Sequence, residues 1–292
     1  MPGLTTNNPV TSEATNSTSI SGSAVNDSAN TEQLNGVVDM ARYALDDPAF
    51  QAECRRSLDE SGVLVLPRFL LPDAVDAIQQ EGKAQQSLAF YTQGQHTAYL
   101  KPKDPALPDT HPRNYQVTSS KGCITTDQIP AASALHVLYK ASPVHRFLCA
   151  VLGEQALYEY ADSLSSINLH YASEGQELGW HFDNSSFAIT LLIQKPAGGG
   201  VFEYVSNVRD ADAGDMNYAL TGQVLKGEVT PEQLSMEEGT LVLFRGRNSI
   251  HRVTPVEGDT TRLLVVLAYN TEPDVALSES ARMTFYGRLG DL

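Results

Sequence analysis

The chain has 292 residues, with 35 acidic against 20 basic side chains and a formal net charge of −15. That excess would repel a phosphate backbone rather than release its counterions, which argues against nucleic acid as a partner, and no apolar run approaches the roughly 18 residues that would argue for a membrane span. Cys54, Cys123 and Cys149 are widely spaced with no CxxC pair, which excludes a disulfide framework or structural zinc site and fits a reducing, cytoplasmic setting.

Residues 1–36 are rich in Ser, Thr and Asn and contain no aromatic residue, Lys or Arg. Such a stretch cannot bury enough apolar surface to offset its ordering entropy, so a disordered tail is expected, followed by one domain over residues 37–292. It also lacks the basic start and apolar run of a secretory signal and the arginines of a mitochondrial transit peptide. Asp46–Ser61 has apolar positions at helical spacing and reads as an amphipathic helix. Gly62–Leu66 is a short strand ended by Pro67, and Leu71-Pro72-Asp73 opens a second helix. Four prolines between Pro102 and Pro112 mark an irregular loop, and Pro130–Leu152 is a helical stretch.

Beyond it the pattern changes to strands: Ser163–Ala172, Phe182–Gln194, Val201–Val205, Thr240–Phe244, Ile250–Val253 and Thr261–Asn270, with Gly198-Gly199-Gly200 as a hairpin-type connection. Arg209–Glu238 interrupts them, and its Thr230-Pro231-Glu232 reads as an N-cap and first helical turn, in either a lid or a solvated loop. Helices first and an antiparallel sheet after point to an α+β protein with a jelly-roll core.

His181 and Asp183 stand two apart, and residues i and i+2 of a strand share a face, so both can reach one metal ion. In FRGRNSIHRVTPVEGDTTRLL a further histidine, His251, precedes Arg262 by 11 residues across a turn. A hairpin there would bring both near one cavity. Two histidines and one carboxylate on one face of a metal leave the other positions open, as non-haem Fe(II) oxygenases need for a bidentate co-substrate and O₂. Zinc fits less well, because it leaves the arginine unexplained. Arg262, Leu264, Val266, Ala268 and Asn270 share one strand face, and an arginine turned toward an apolar interior needs an anion that its five-donor fork can hold, such as a carboxylate.

Through His181-Phe-Asp183, His251 and Arg262 the sequence resembles the Fe(II)/2-oxoglutarate oxygenases, whose core is a double-stranded β-helix. The wording INLHYASEGQELGWHFD, FAITLLIQKPAGGGVFEYV, GTLVLFRGRNSIHRVTPVEG and a closing FYGR is similar, more narrowly, to the group of radical halogenases and hydroxylases of free amino acids. The resemblance implies Fe(II) held by His181, Asp183 and His251, 2-oxoglutarate held through Arg262, and O₂ as the second co-substrate. Radical halogenases of that group have a small residue where this chain has Asp183, so the resemblance implies hydroxylation of an unactivated C–H in a small polar substrate, a free amino acid or a derivative. Desaturation or cyclisation at the same iron is the alternative, and a jelly-roll protein that binds metal or ligand without turnover is the rival from another class.

By the same resemblance Arg113, Asn184 and Tyr286 are the substrate-side residues, and Asn184, standing where lysine-specific members have an acid, argues against lysine itself. Strand alternation sets Tyr171 opposite Asn168 and His170, so only one set can line the site. Trp180 and Tyr286 read as packing anchors rather than catalysts, with closure over the substrate as the second reading of Tyr286. His96, His111, His136 and His145 have no partner at ligand spacing, and Arg245, Arg247 and Arg252 are expected to be exposed or ion-paired.

Overall fold

In the computed structural model, which describes residues 32–291, the chain is already packed at Leu34, whose side chain is fully buried. Residues 1–31 of the expected tail lie outside the described part; residues 32–36 belong to the folded body, because Leu34 sits in the main core with Val37 and Val38. Helix α1 (Pro48–Ser61) starts with Asp47, whose carboxylate accepts from the Ala49 amide at 2.8 Å, and ends at Gly62 in the left-handed conformation. Strand β1 (Val63–Leu66) and helix α2 (Pro72–Gln85) follow. The helical stretch expected over Pro130–Leu152 is two helices, α3 (Ala134–Lys140) and α4 (Ser142–Leu152), separated at Ala141, which is extended with φ −71 and ψ 120. Pro143 explains the break: it has no amide to donate to the carbonyl of Tyr139 four residues back, its ring would clash with that carbonyl, and it suits the first turn of a new helix.

The remaining strands are β2 (Phe90–Thr97), β3 (Gln116–Ile124), β4 (Ile167–Ala172), β5 (Leu178–His181), β6 (Ala188–Gln194), β7 (Gly198–Gly199), β8 (Phe202–Val205), β9 (Glu232–Leu234), β10 (Leu241–Phe244), β11 (Ile250–Val253), β12 (Val256–Glu257) and β13 (Arg262–Leu267). Among the described residues they form one eleven-stranded antiparallel sheet in the order β1-β10-β6-β13-β4-β3-β5-β11-β8-β9, with β2 on β3, and a small ribbon of β7 with β12. The long β3 joins two arms, pairing with β4 through Gly122–Ile124 and with β5 at Ser119. The arms curl toward each other until Phe202 on β8 meets Phe244 on β10 edge to face, with ring centroids 5.1 Å apart. The result is the expected α+β jelly roll.

The residues of β4 and β13 alternate between two buried environments. Ile167, Leu169, Tyr171, Leu263, Val265 and Leu267 join the main core with the helices, and the Tyr171 hydroxyl donates to the Gly82 carbonyl at 2.8 Å. His170, Arg262, Leu264 and Val266 line the space between the arms. Burial on both faces is why RLLVVL reads as a continuous apolar run.

Three expectations are corrected. Thr230-Pro231-Glu232 starts no helix: Glu232 opens β9, and the helix of that insertion lies earlier, α5 (Tyr218–Leu225), where the Asn217 side chain accepts from the Leu220 amide. The strand expected over Phe182–Gln194 begins only at Ala188, leaving Phe182–Phe187 as a loop. His251 and Arg262 do not face each other across a hairpin, since β11 pairs with β5 and β8 whereas β13 pairs with β4 and β6. The chain between them crosses from one arm to the other.

Candidate metal and co-substrate site

His181 ends β5 and His251 lies on β11, and the antiparallel register sets the two directly opposite. Their rings are 4.2 Å apart between centroids. Each Nδ1 lies against the carbonyl two residues back, His181 at 2.8 Å from Gly179 O and His251 at 3.0 Å from Ser249 O. A carbonyl can only accept, so each Nδ1 carries a proton, which leaves Nε2 as the ring atom turned toward Asp183 and a metal. Burial, reinforced by the neighbouring His251, drives the His181 pKa down to about 3, so its imidazole is neutral at physiological pH.

Asp183 lies just past the end of β5. Its Oδ1 is 3.8 Å from His181 Nε2 and 3.5 Å from His251 Nε2, and its Oδ2 is buried with no hydrogen-bond partner. Burial works against its ionisation, but the protonated forms of His251 first and His181 second outweigh it and hold the carboxyl below the usual carboxylate range. The three side chains each offer a ligand atom within 4.8 Å of the others. An orphaned carboxylate oxygen beside two imidazole lone pairs is a donor set suited to a divalent cation.

The loop that carries Asp183 is fixed from behind. The Asp183 amide donates to Gly246 O at 3.0 Å. A Cβ on Gly246 would overlap the Asp183 carboxylate and lie 3.0 Å from His251 Cε1, so only glycine leaves room for the ligand trio. Arg209 stacks its guanidinium 4.1 Å over the Phe182 ring, donates to Arg247 O at 2.7 Å and reaches Asp183 O at 3.4 Å. Sequence reading passed over both residues. Gly246 sits in FRGR, where a turn is the ordinary explanation, and Arg209 precedes an acidic loop.

The trio opens on a cavity of about 300 Å³ that Arg262 also lines, together with apolar residues such as Leu264, Val266, Val242 and Phe244. Arg262 is 5% exposed and forms no ion pair with the described carboxylates. Burial lowers its pKa to about 10, which leaves it charged at neutral pH. Gly200, at φ 61, lies against it: a Cβ there would be 3.1 Å from Arg262 Cδ. Lys121 and His170 line the same cavity, 3.0 Å apart from Nζ to Nε2. Tyr171 points the other way, into the main core.

Lys121, Leu178 and His181 also border a wider groove of about 740 Å³ on the solvent side. Its lining includes Gln93, Gln95, His96, Lys101, Lys103 and Asn184, and no Asp or Glu. His96, which has no partner at ligand spacing along the chain, stands edge-on to His181 with ring centroids 6.1 Å apart and holds Ser119 Oγ at 2.6 Å. Of the other substrate-side residues, Arg113 lies near Tyr99, which packs on the Phe182 ring, and one of its buried guanidinium nitrogens has no partner. Tyr286, on the C-terminal helix α6 (Glu279–Tyr286), is turned into a small core cluster and donates to Asn168 Oδ1 at 2.9 Å. Trp180 is buried in a second cluster under the guanidinium of Arg252. Arg245, Arg247 and Arg252 pair with Asp59, Asp212 and Glu203, as expected.

The family model for Halogenase D matches residues 46–285. Among solved structures the chain is similar to SnoN, a non-haem α-ketoglutarate-dependent epimerase from nogalamycin biosynthesis, with a TM-score of 0.53 and 12% identity over 76% of this chain and 84% of that one. It is also similar to SnoK, a carbocyclase from the same biosynthesis, with a TM-score of 0.53 and 10% identity over 82% and 92%. A prolyl hydroxylase from Trichoplax adhaerens, in complex with a hypoxia inducible factor peptide fragment, matches with a TM-score of 0.50 and 13% identity over 76% and 89%. At these identities the likeness concerns the fold. No curated protein matches the sequence.

Proposed function

The chain belongs to the Halogenase D family, and on that premise we propose that it is an Fe(II)- and 2-oxoglutarate-dependent oxygenase that hydroxylates an unactivated C–H of a free amino acid or a close derivative. The observation that carries this reading is a single cavity in which His181, Asp183 and His251 converge beside the buried, unpaired Arg262. In it the two imidazoles and the Asp183 carboxylate would hold the iron. Arg262 holds the distal carboxylate of 2-oxoglutarate by its planar fork. Iron bound there would supply the oxidising power, with 2-oxoglutarate and O₂ as co-substrates and succinate and CO₂ as co-products.

The protein's share is placement and dryness. Asp183 fills the position that a halogenase of this group would leave to halide, which favours return of hydroxyl over halogen transfer. Leu264, Val266, Val242 and Phe244 keep water from the reacting centre. The groove beside His181 is the substrate's side, with Asn184 on its wall, and its lack of Asp and Glu leaves a cationic side chain without a partner. That supports a substrate that is neutral or acidic beyond its α-amino group.

Anaerobic reconstitution with Fe(II) and 2-oxoglutarate tests the assignment. A weak visible charge-transfer band should appear and shift when the right amino acid is added. Admitting O₂ should then yield succinate and a product heavier by one oxygen. No band from well-folded protein would refute the iron site; a band without succinate under any amino acid would refute the substrate class.

A further inference from the structure

The cavity between the arms contains a second cation whose position is set by strand register. β13 pairs with β4 through Arg262 and Ala172, and the β3–β4 ladder ends at Gly122 and Tyr171, so that Lys121, the next residue of β3, lies one step beyond it on the side of Ala172. Directly paired residues point to the same face, and Arg262 and Lys121 both line the cavity, so the two cations flank Ala172 on its inward side. Strands lie about 4.8 Å apart, which sets the two cation-bearing backbones roughly 10 Å from each other. Ala172, the small member between them, leaves room for both long side chains to converge on one anion.

Neither cation is satisfied by the protein. Among the described residues Lys121 makes no ion pair, and His170, 3.0 Å away, is uncharged: burial, then repulsion from Lys121 and Arg262, pulls the imidazole pKa well below its usual value. Burial likewise lowers the Lys121 ammonium. Asp183 is the one carboxylate in the cavity lining, and its contacts are with the two histidines of the trio. Two desolvated cations in a row, in a chain of net charge −15, are costly unless a ligand neutralises them.

We infer that Lys121 is a second anchor for the distal carboxylate of 2-oxoglutarate, shared with Arg262 across Ala172, and that His170 positions its ammonium. The inference rests on the reading of this cavity as the co-substrate site. Lys121 also borders the groove, so the rival is that it contacts the substrate.

The test compares 2-oxoglutarate with 2-oxopentanoate, which has the same five-carbon chain but a methyl group in place of the distal carboxylate. Both are titrated anaerobically into Fe(II)-loaded protein and read by the visible band. Lys121→Met and Lys121→Gln should each cut the preference for 2-oxoglutarate by about tenfold or more while leaving 2-oxopentanoate affinity within about twofold, as removal of one charged contact requires. Because the preference is a ratio within one variant, partial loss of fold or iron cancels. An unchanged preference in both variants, with the defect appearing in substrate KM, would overturn the inference in favour of the rival. A wild-type protein that gives no band with either 2-oxoacid would instead sink the reading on which it rests.

Discussion

Replacing Gly246 by alanine puts a methyl group where Asp183 needs to be. The new Cβ would lie 2.7 Å from Asp183 Cγ and 3.0 Å from His251 Cε1, whereas carbon atoms in contact sit about 3.5–4.0 Å apart. The carboxylate carbon must withdraw by nearly 1 Å on that scale, against a tolerance of about 0.2 Å in a metal–ligand bond. Backbone movement gives little relief, because the Asp183 amide is bonded to Gly246 O at 3.0 Å. Loss of supporting groups around a metal site typically weakens it about 10- to 100-fold, and displacement of a ligand itself should reach the upper end or beyond. Anaerobic titration with Co(II), followed in the visible, measures this directly. The metal-free protein should melt close to wild type, since Asp183 Oδ2 has no other partner to lose. A Co(II) affinity within about threefold of wild type would refute the claim that Gly246 reserves the carboxylate's place.

Arg262→Ala should weaken 2-oxoglutarate binding about 30-fold to several thousand-fold, the equivalent of roughly 2–5 kcal/mol for an unpaired buried carboxylate, and an unchanged apparent KM for 2-oxoglutarate would exclude the anchor. Asp183→Gly should abolish the hydroxylated product, read by product mass; retention of wild-type hydroxylation would show that the carboxylate is dispensable. Arg209→Met keeps apolar bulk over Phe182 but drops the bond to Arg247 O, so metal affinity should fall about tenfold, as for other supporting contacts, with equal affinity counting against its role. His170 has a folded pKa well below its usual 6.5. Below about pH 6.5 the unfolded chain therefore takes up a proton that the folded chain refuses, and the metal-free protein loses stability as pH falls, by at most about 1.4 kcal/mol per pH unit from this group. His170→Gln should flatten that slope in urea unfolding between about pH 6.5 and 5, and an unaltered slope would place the titration elsewhere.

The parts of the site that were legible in the sequence are those whose chemistry conflicts with their local pattern. His181 and Asp183 interrupt an apolar sheet segment, and Arg262 heads a strand otherwise made of Leu and Val, so each demanded an explanation beyond packing. Lys121 gave no such signal: in TSSKGC it reads as a solvated residue, and the hairpin of β2 and β3 that carries it is polar on both faces because β2 is an exposed edge. The helix break at Ala141 was hidden by apolar periodicity that continues through it, which left Pro143 as the sole cue. The separation of His251 from Arg262 onto opposite arms could not be read from an 11-residue spacing, which accommodates a hairpin as easily as the crossing through β12. Tyr286 was legible as a packing anchor, and it is buried in a core cluster with its hydroxyl bonded to Asn168, a partner the sequence pattern does not name.

The backbone carbonyls of Gly179 and Ser249 orient both imidazoles whether or not an ion is present. Such a rigid trio binds quickly and with little ordering entropy, but it forgoes selection, because nothing in its shape must change to admit one first-row metal rather than another. Affinity should then climb the divalent series, from manganese through iron and cobalt to nickel and copper. Cobalt and nickel would seat at least as firmly as iron and yield an inert protein, so the active form depends on which free ions surround the chain as it folds.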